Sequence, residues 1–137
     1  MLRRFVILHH QSPSGEHWDV MLETDSVLKT WSIPPQSSSG ASFVCAAAQL
    51  SPHRKHYLDY EGEVSGNRGT VHRVDAGTYE QRLPETFFLS GTRFIGTLTL
   101  ENEIMKFVSE RYCPSGKNLS NESRERNSAE RPVPFAG

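Results

Sequence analysis

The chain has 137 residues, of which 36% are apolar and 23% charged, and its formal net charge is −1. This length predicts one domain that can bury a core without disulfide bridges. The near-neutral charge argues against a protein that coats duplex nucleic acid, because that class carries a strong basic excess. If a protein of this charge acts on nucleic acid, we expect it to bind a small target such as a strand end. A metal ion would then supply much of the positive charge.

The sequence shows neither a membrane span nor a secretory leader. No apolar run approaches the roughly 18 residues that a membrane helix needs, and no apolar leader with a small-residue cleavage site follows Met1. The two cysteines, Cys45 and Cys113, lack the spacing of a metal site, so we interpret them as reduced structural thiols. We therefore expect a cytoplasmic monomer with no membrane partner.

The first part of the chain alternates polar and apolar residues as strands do. Strands are predicted over residues 4–10, 17–23 and 27–33, the last closed by Pro34-Pro35. A six-residue, turn-rich loop over residues 11–16 joins the first two strands, and a Ser/Gly loop occupies residues 36–42. Residues 43–50 contain an alanine run that is compatible with a short helix or a buried strand.

The second part continues the same pattern up to about residue 113. Further strands are predicted over residues 57–64, 69–74, 78–82, 86–89, 92–100 and 103–111. Asp75-Ala76-Gly77 is interpreted as a turn, and Glu101-Asn102 as the tip of the last hairpin. We therefore predict an all-β domain over residues 1–113, a small closed or partly closed β-barrel of about eight strands with little helix. Residues 114–137 contain too few apolar residues to offset the entropy cost of ordering, and they are predicted to form a disordered or loosely attached tail.

Three potential metal ligands lie on the first hairpin. Pairing of the two strands brings His10 close to His17, and Asp19 projects from the same strand face as His17. Two imidazoles and one carboxylate suit Mn²⁺, Zn²⁺ or Fe²⁺ and leave positions open for water or substrate. The alternative is a polar, solvent-facing side of an amphipathic hairpin. In both interpretations Trp18, Val20 and Leu22 pack into the core.

Other polar residues offer weaker indications of a site. His56, Leu58 and Tyr60 could share a strand face, where a His and a Tyr beside a metal bind phosphate or assist proton transfer. Arginines that could contact phosphate are Arg54, Arg68, Arg73, Arg82 and Arg93. For each of these residues, an ordinary surface position is the competing interpretation.

These residues stand in a pattern that resembles the 3′-phosphoesterase module of bacterial DNA ligase D. The resemblance begins with the strand from Phe5 to His10, continues with His17-Trp18-Asp19-Val20-Met21-Leu22-Glu23, and extends in order to about Leu100. Its later motifs are Leu28-Lys29-x-Trp31-x-x-Pro34, His56-x-Leu58-Asp59-Tyr60, Asp75-x-Gly77-Thr78-Tyr79-Glu80 and Leu89-x-Gly91-x-Arg93-x-x-Gly96. Each motif alone is weak, whereas their common order is fairly specific.

The resemblance implies a compact β-barrel and a Mn²⁺-dependent hydrolase in DNA repair that removes a terminal 3′ ribonucleotide and then the 3′ phosphate. It implies that His10, His17 and Asp19 bind the metal, with Zn²⁺ or another divalent ion as the alternative. His56 and Tyr60 are implied to contact the reacting phosphate, and Arg54, Arg73 and Arg93 are the candidate phosphate-binding residues. The implied partner is a nucleic-acid 3′ end, with DNA end-joining or ligase proteins as further candidates.

One departure from the family pattern keeps a second function open. The family has an Arg two residues after the ligand Asp, where this chain has Met21. Period-two geometry predicts that Met21 faces the proposed phosphate, so Met21→Arg is expected to raise phosphomonoesterase activity. The competing hypothesis is a non-catalytic module that binds a metal or a strand end.

A third hypothesis is a non-haem iron oxygenase. In that interpretation His17, Asp19 and the distant His72 form the two-histidine, one-carboxylate set, with Arg82 ten residues later. The chain is short for such a fold, and this hypothesis gives His10 no role.

Overall fold

The computed structural model describes residues 2–111, which form one antiparallel sheet with one short 3₁₀ helix over Lys55–Leu58. The strands, in chain order, are β1 (Arg3–Ser12), β2 (Gly15–Glu23), β3 (Leu28–Ile33), β4 (Phe43–Ala46), β5 (Ala48–His53), β6 (Gly62–Glu63), β7 (Thr70–Leu83), β8 (Thr86–Gly91), β9 (Ile95–Glu101) and β10 (Ile104–Ser109). The prediction of an all-β fold is confirmed. Cys113 and the predicted tail over residues 114–137 lie outside the described residues.

The sheet curls into a partly closed barrel. Its strand order is β4-β10-β9-β8-β7-β1-β2-β3-β5, and the short β6 pairs with β7. The two terminal strands, β4 and β5, follow each other in the chain and are separated by Ala47, whose N–H donates to the carbonyl of Glu103. One stretch of chain therefore pairs with β10 and then with β3. The ambiguous residues 43–50 thus belong to strands, and the sheet has ten strands where about eight were predicted.

Both faces of β1 and β2 are buried, because each face carries its own apolar cluster. The inner core fills the barrel with fifteen buried residues, among them Phe5, Ile7, Trp18, Val20 and Phe94. The outer-face cluster consists of Val6, Leu8, Met21, Leu28, Leu58, Val64 and Val71. Alternation of side chains along a strand places the two sets on opposite faces. The prediction that Trp18, Val20 and Leu22 pack into the core is confirmed.

The predicted strand over residues 57–64 is wrong. The chain leaves the sheet after His53, forms the helix over Lys55–Leu58, and returns as β6. Leu58 and Val64 are 4% and 9% exposed and lie in the outer-face cluster. This excursion covers apolar side chains of β1 and β2 that would otherwise face water, and their burial favours it over a regular strand.

The predicted turn at Asp75-Ala76-Gly77 is also wrong, since these residues lie inside β7. The Asp75 carboxylate is buried and accepts hydrogen bonds from the backbone N–H groups of Thr92, Arg93 and Phe94, at 3.1, 2.9 and 2.8 Å. A Cβ at Gly77 would collide with the backbone of Ser90 and Gly91. Asp75 and Gly77 therefore hold β7 against β8 and against the turn that follows β8.

Candidate metal centre

Three potential metal ligands converge on the outer face of the first hairpin. His10 and His17 are direct cross-strand partners. Asp19 and its partner Leu8 lie two residues away along β2 and β1, so Asp19 projects from the same face of the sheet. The hairpin is tighter than predicted, because pairing continues to Ser12 and Gly15 and leaves a two-residue turn instead of a six-residue loop. The ligand atoms of the three residues all lie within 4.8 Å of one another. We call these three residues the triad.

Two buried polar atoms of the triad have no hydrogen-bond partner among residues 2–111. They are Nδ1 of His17 and Oδ1 of Asp19, which lie 2.9 Å apart but are not oriented as a hydrogen bond requires. Nδ1 of His10 is 3.6 Å from Oδ2 of Asp19. Ligands about 2.1 Å from one ion are separated from each other by about 3.0–3.4 Å, depending on the coordination angle. The two separations that involve Asp19, 2.9 and 3.6 Å, are close to this range, whereas the full spread of up to 4.8 Å means that the three side chains would move closer together around a bound ion.

The burial of the Asp19 carboxyl group and its effect on the pKa also favour a bound cation. Asp19 is 2% exposed, and burial raises the pKa of its carboxyl group above the ordinary value. His17 and His10 lower that pKa, as does His53, but burial has the larger effect. An ionised carboxylate in this position lacks sufficient compensation from the protein, and a bound cation would provide it.

His56 and Tyr60 lie together in the segment that crosses the outer face, but not on one strand face as predicted. His56 is exposed in the 3₁₀ helix, and its ring centroid is 4.1 Å from that of Tyr57 and 5.6 Å from that of Tyr60. The Tyr60 hydroxyl donates to the carbonyl of Glu63. Neither side chain hydrogen-bonds to the triad within the described part of the chain, so their predicted contact with phosphate stays a prediction.

The three candidate arginines are separated by the fold. Arg73 pairs with Leu8, and therefore lies on the triad's face of the sheet. Its backbone N–H donates to Oε2 of Glu61 at 2.6 Å. Arg54 is exposed just before the 3₁₀ helix. It belongs, like His56, to the segment over residues 54–69 that crosses the outer face, which we call the covering segment.

Arg93 lies elsewhere, in the turn between β8 and β9. Its backbone donates to Asp75, and its guanidinium donates to the carbonyl of Ser38 at 3.3 Å. Asp75 pairs with Ile7 of the inner core, which is the face of β1 opposite the triad. The structure thus brings Arg73 to the triad's face and does not bring Arg93 there.

Met21 shares the triad's face but does not point into an open site. Its side chain is 1% exposed and belongs to the outer-face cluster, which also contains Leu28 and Leu58. The expectation that an arginine at this position would reach a phosphate is therefore corrected. A guanidinium placed there would displace packed apolar side chains beneath the 3₁₀ helix.

The oxygenase hypothesis is contradicted by the register of the sheet. His72 pairs with His9, which lies on the face of β1 opposite His10. His72 therefore cannot complete a ligand set with His17 and Asp19. The side chain of Arg82 lies over the ring of Phe88, 4.5 Å from its centroid.

Two features near the triad were not assigned to the site from the sequence. His53 pairs with Leu28 on the triad's face, and its charge favours ionised Asp19. His53 stands beside Arg54 and Lys55 in the sequence, and such a basic run is typical of a solvated loop, so only the tertiary pairing reveals its place near the triad. The second feature is the backbone carbonyl of Arg68, which lies 2.7 Å from Nε2 of His10. A backbone contact between residues so distant in the chain leaves no signal in the sequence.

Comparison with known proteins identifies the same family that the sequence motifs resemble. Residues 8–126 match the family model of the DNA ligase D 3′-phosphoesterase domain. Over 79 residues the chain is 33% identical to the multifunctional non-homologous end joining protein LigD of Mycobacterium bovis and to the DNA repair protein LigD of Mycobacterium tuberculosis. The match covers 56% of this chain and 10% of those proteins, so it concerns a small part of their length.

The described residues contain no helix long and apolar enough to cross a membrane. The family match spans most of the chain and includes all three residues of the triad. On this evidence, the chain belongs to the DNA ligase D 3′-phosphoesterase domain family.

Proposed function

We propose that this chain is a metal-dependent phosphoesterase that processes nucleic-acid 3′ ends by removing a 3′ phosphate or a 3′ ribonucleotide. The observation that carries the proposal is the buried pair formed by Nδ1 of His17 and Oδ1 of Asp19, two polar atoms without hydrogen-bond partners. Membership of the phosphoesterase family supports the same class of reaction. A polar surface hairpin, the competing interpretation, would leave these atoms to water, whereas Asp19 is almost fully buried.

His10, His17 and Asp19 hold the ion, which we propose to be Mn²⁺, with Zn²⁺ as the alternative. A mixed set of two imidazoles and one carboxylate accommodates either ion. When bound, such an ion polarises a phosphoryl oxygen and lowers the pKa of a coordinated water. The triad residues lie on paired strands whose opposite face is packed into the inner core, so the ligands are held rigidly.

The covering segment provides the phosphate contacts in this proposal. His56 is exposed, with its ring tilted against that of Tyr57, so its imidazole is accessible to a substrate and takes the role of proton donor to the leaving oxygen. Tyr60 positions the phosphate through its hydroxyl, which exchanges its bond to the Glu63 carbonyl for one to the substrate. Arg73 and Arg54 supply positive charge on the same side of the sheet.

A nucleic-acid 3′ end is the proposed substrate, and end-joining or ligase proteins are the proposed partners. The curated relatives are named for non-homologous end joining and DNA repair. The formal net charge of −1 favours recognition of a strand end over tracking of a long duplex.

The test is release of inorganic phosphate from a 3′-phosphorylated primer–template with added Mn²⁺, together with removal of a 3′-terminal ribonucleotide. We expect turnover by the wild-type protein and a loss of at least about 100-fold in His17→Ala. His9→Ala is the matched control, because His9 is on the same hairpin but faces away from the triad and pairs with Glu16 at 2.6 Å. Absence of metal-dependent turnover on both kinds of end would refute the proposal.

Burial of Met21 favours a second candidate function, a module that binds a metal or a 3′ end without hydrolysing it. The family's arginine is missing, and the structure fills its position with an apolar side chain that is 1% exposed. Binding to a 3′-phosphorylated end in the presence of Mn²⁺ or Zn²⁺, without turnover under either ion, would establish this function instead.

A further inference from the structure

The contact between His10 and Arg68 determines which nitrogen of His10 carries the proton. Nε2 of His10 lies 2.7 Å from the carbonyl oxygen of Arg68. A carbonyl oxygen only accepts, so in the neutral imidazole Nε2 must be the donor. Nδ1 is then unprotonated, and it is the nitrogen that lies 3.6 Å from Oδ2 of Asp19. The tautomer that satisfies the carbonyl is therefore the one that presents a lone pair toward the triad.

The carbonyl of Arg68 belongs to a tightly held loop over residues 64–69, which we call the clamp loop. The N–H of Val64 donates to the carbonyl of Gly69 at 2.8 Å, closing the loop at its base. Nε of Arg68 donates to the carbonyl of Ser65 at 2.6 Å, and Nη2 donates to Oγ of Ser65 at 3.1 Å. Val64 is buried in the outer-face cluster, so this end of the loop is anchored to the sheet.

Gly69 allows the clamp loop to approach β1. A Cβ at this position would overlap the carbonyl of Gln11 and the Cα of Ser12, immediately after His10 in the chain. The φ of Gly69 is +94°, which also disfavours a side chain. Gly66, in the same loop, has φ +76°, but a Cβ there would meet only Nε of Arg68 at 3.6 Å.

We propose that the clamp loop is a positioning element that makes Nδ1 of His10 the ligand atom of the metal centre. This inference rests on the proposed metal site. Hydrogen bonds to the second nitrogen of a metal-bound histidine commonly fix its tautomer and ring orientation. Here that bond comes from a backbone carbonyl, so its strength depends on how closely the loop contacts the strand that carries His10.

The test compares Gly69→Ala with Gly66→Ala, which have a similar backbone cost but differ in contact with β1. We expect Gly69→Ala to bind Mn²⁺ about 10- to 100-fold more weakly in isothermal titration, the range for loss of such an outer contact. Gly66→Ala should stay within about threefold of wild type in the same experiment. Should Gly69→Ala fail to fold, Arg68→Met removes the bonds to Ser65 and should weaken binding in the same direction.

Imidazole ¹⁵N NMR of the metal-free protein at mildly alkaline pH provides a readout that does not require metal binding. We expect wild-type His10 to be protonated at Nε2, and Gly69→Ala to show a mixture of tautomers. Protonation at Nδ1 in the wild type, or unchanged metal affinity in a folded Gly69→Ala, would overturn the inference. A locked Nε2–H tautomer in a protein that binds no metal would support the clamp while refuting the proposed function.

Discussion

Replacement of Asp19 by Asn measures how much the buried carboxylate lowers the folding stability of the metal-free protein. Burial raises the pKa of Asp19, so the folded, metal-free protein binds this proton more tightly than the unfolded chain does. Stability contributed by this group is therefore present below the ordinary Asp pKa and is lost as pH rises through the raised value. Above the raised pKa the metal-free wild-type protein has lost this stability, whereas a protein with an uncharged Asn at the same position has not.

The expected gain follows from the contacts of Asp19. Oδ1 lacks a hydrogen-bond partner, so no hydrogen bond within the described part of the chain offsets the desolvation of this carboxylate oxygen. An unsatisfied buried polar group costs about 1–3 kcal/mol. We expect metal-free Asp19→Asn to be more stable than wild type by about that amount, a rise in Tm of about 4–12 °C for a domain of this size.

The assay is thermal unfolding in EDTA and again with Mn²⁺. An ion present at about 100 times its Kd stabilises wild type by about 2.7 kcal/mol, and Asp19→Asn should lose most of that gain. Asp75→Asn is the matched control, because Asp75 is also buried but accepts three backbone hydrogen bonds. This control should lose about 1.5–3 kcal/mol with or without the ion.

Two results would refute this reasoning. One is a metal-free Asp19→Asn that melts below wild type, which would mean that the carboxylate is compensated by the protein itself. The other is an equal gain in Tm from Mn²⁺ in Asp19→Asn and wild type, which would mean that Asp19 is not a ligand.

Three further predictions concern packing, pH and the C-terminal residues. Met21→Arg should lower the free energy of unfolding, measured in urea, by about 3 kcal/mol or more, because it buries an unpaired charge. Met21→Leu, the control, should lower it by less than about 1.5 kcal/mol. A stable Met21→Arg protein with raised activity would contradict the observed burial. The stability difference between metal-free Asp19→Asn and wild type should shrink as pH falls toward about 3, where Asp19 is protonated in both states, and a constant difference would exclude its titration as the cause. Truncation after Tyr112 should leave Tm nearly unchanged in calorimetry, and a fall of many degrees would show that residues beyond it pack on the barrel.

The sequence by itself predicted the strands and the triad's common face. Alternation of polar and apolar residues depends on the geometry of a single strand, so it placed His17 and Asp19 together and predicted the inner core beneath them. The turn predicted at Asp75 and the strand predicted to begin at Tyr57 are both wrong. Local turn signals and local strand patterns do not include the packing that extends β7 through Asp75 or lifts Leu58 onto the outer face.

Only the tertiary structure decided what surrounds the triad. Whether the outer face of β1 and β2 meets water or protein depends on a segment more than 30 residues further along the chain, over residues 54–69. That cover packs Leu58 and Val64 into the same cluster as Met21, and it places the carbonyl of Arg68 against His10. Strand register, in turn, puts Arg73 on the triad's face and His72 on the opposite one. These are contacts between distant parts of the chain, and residue type and spacing along one strand carry no information about them.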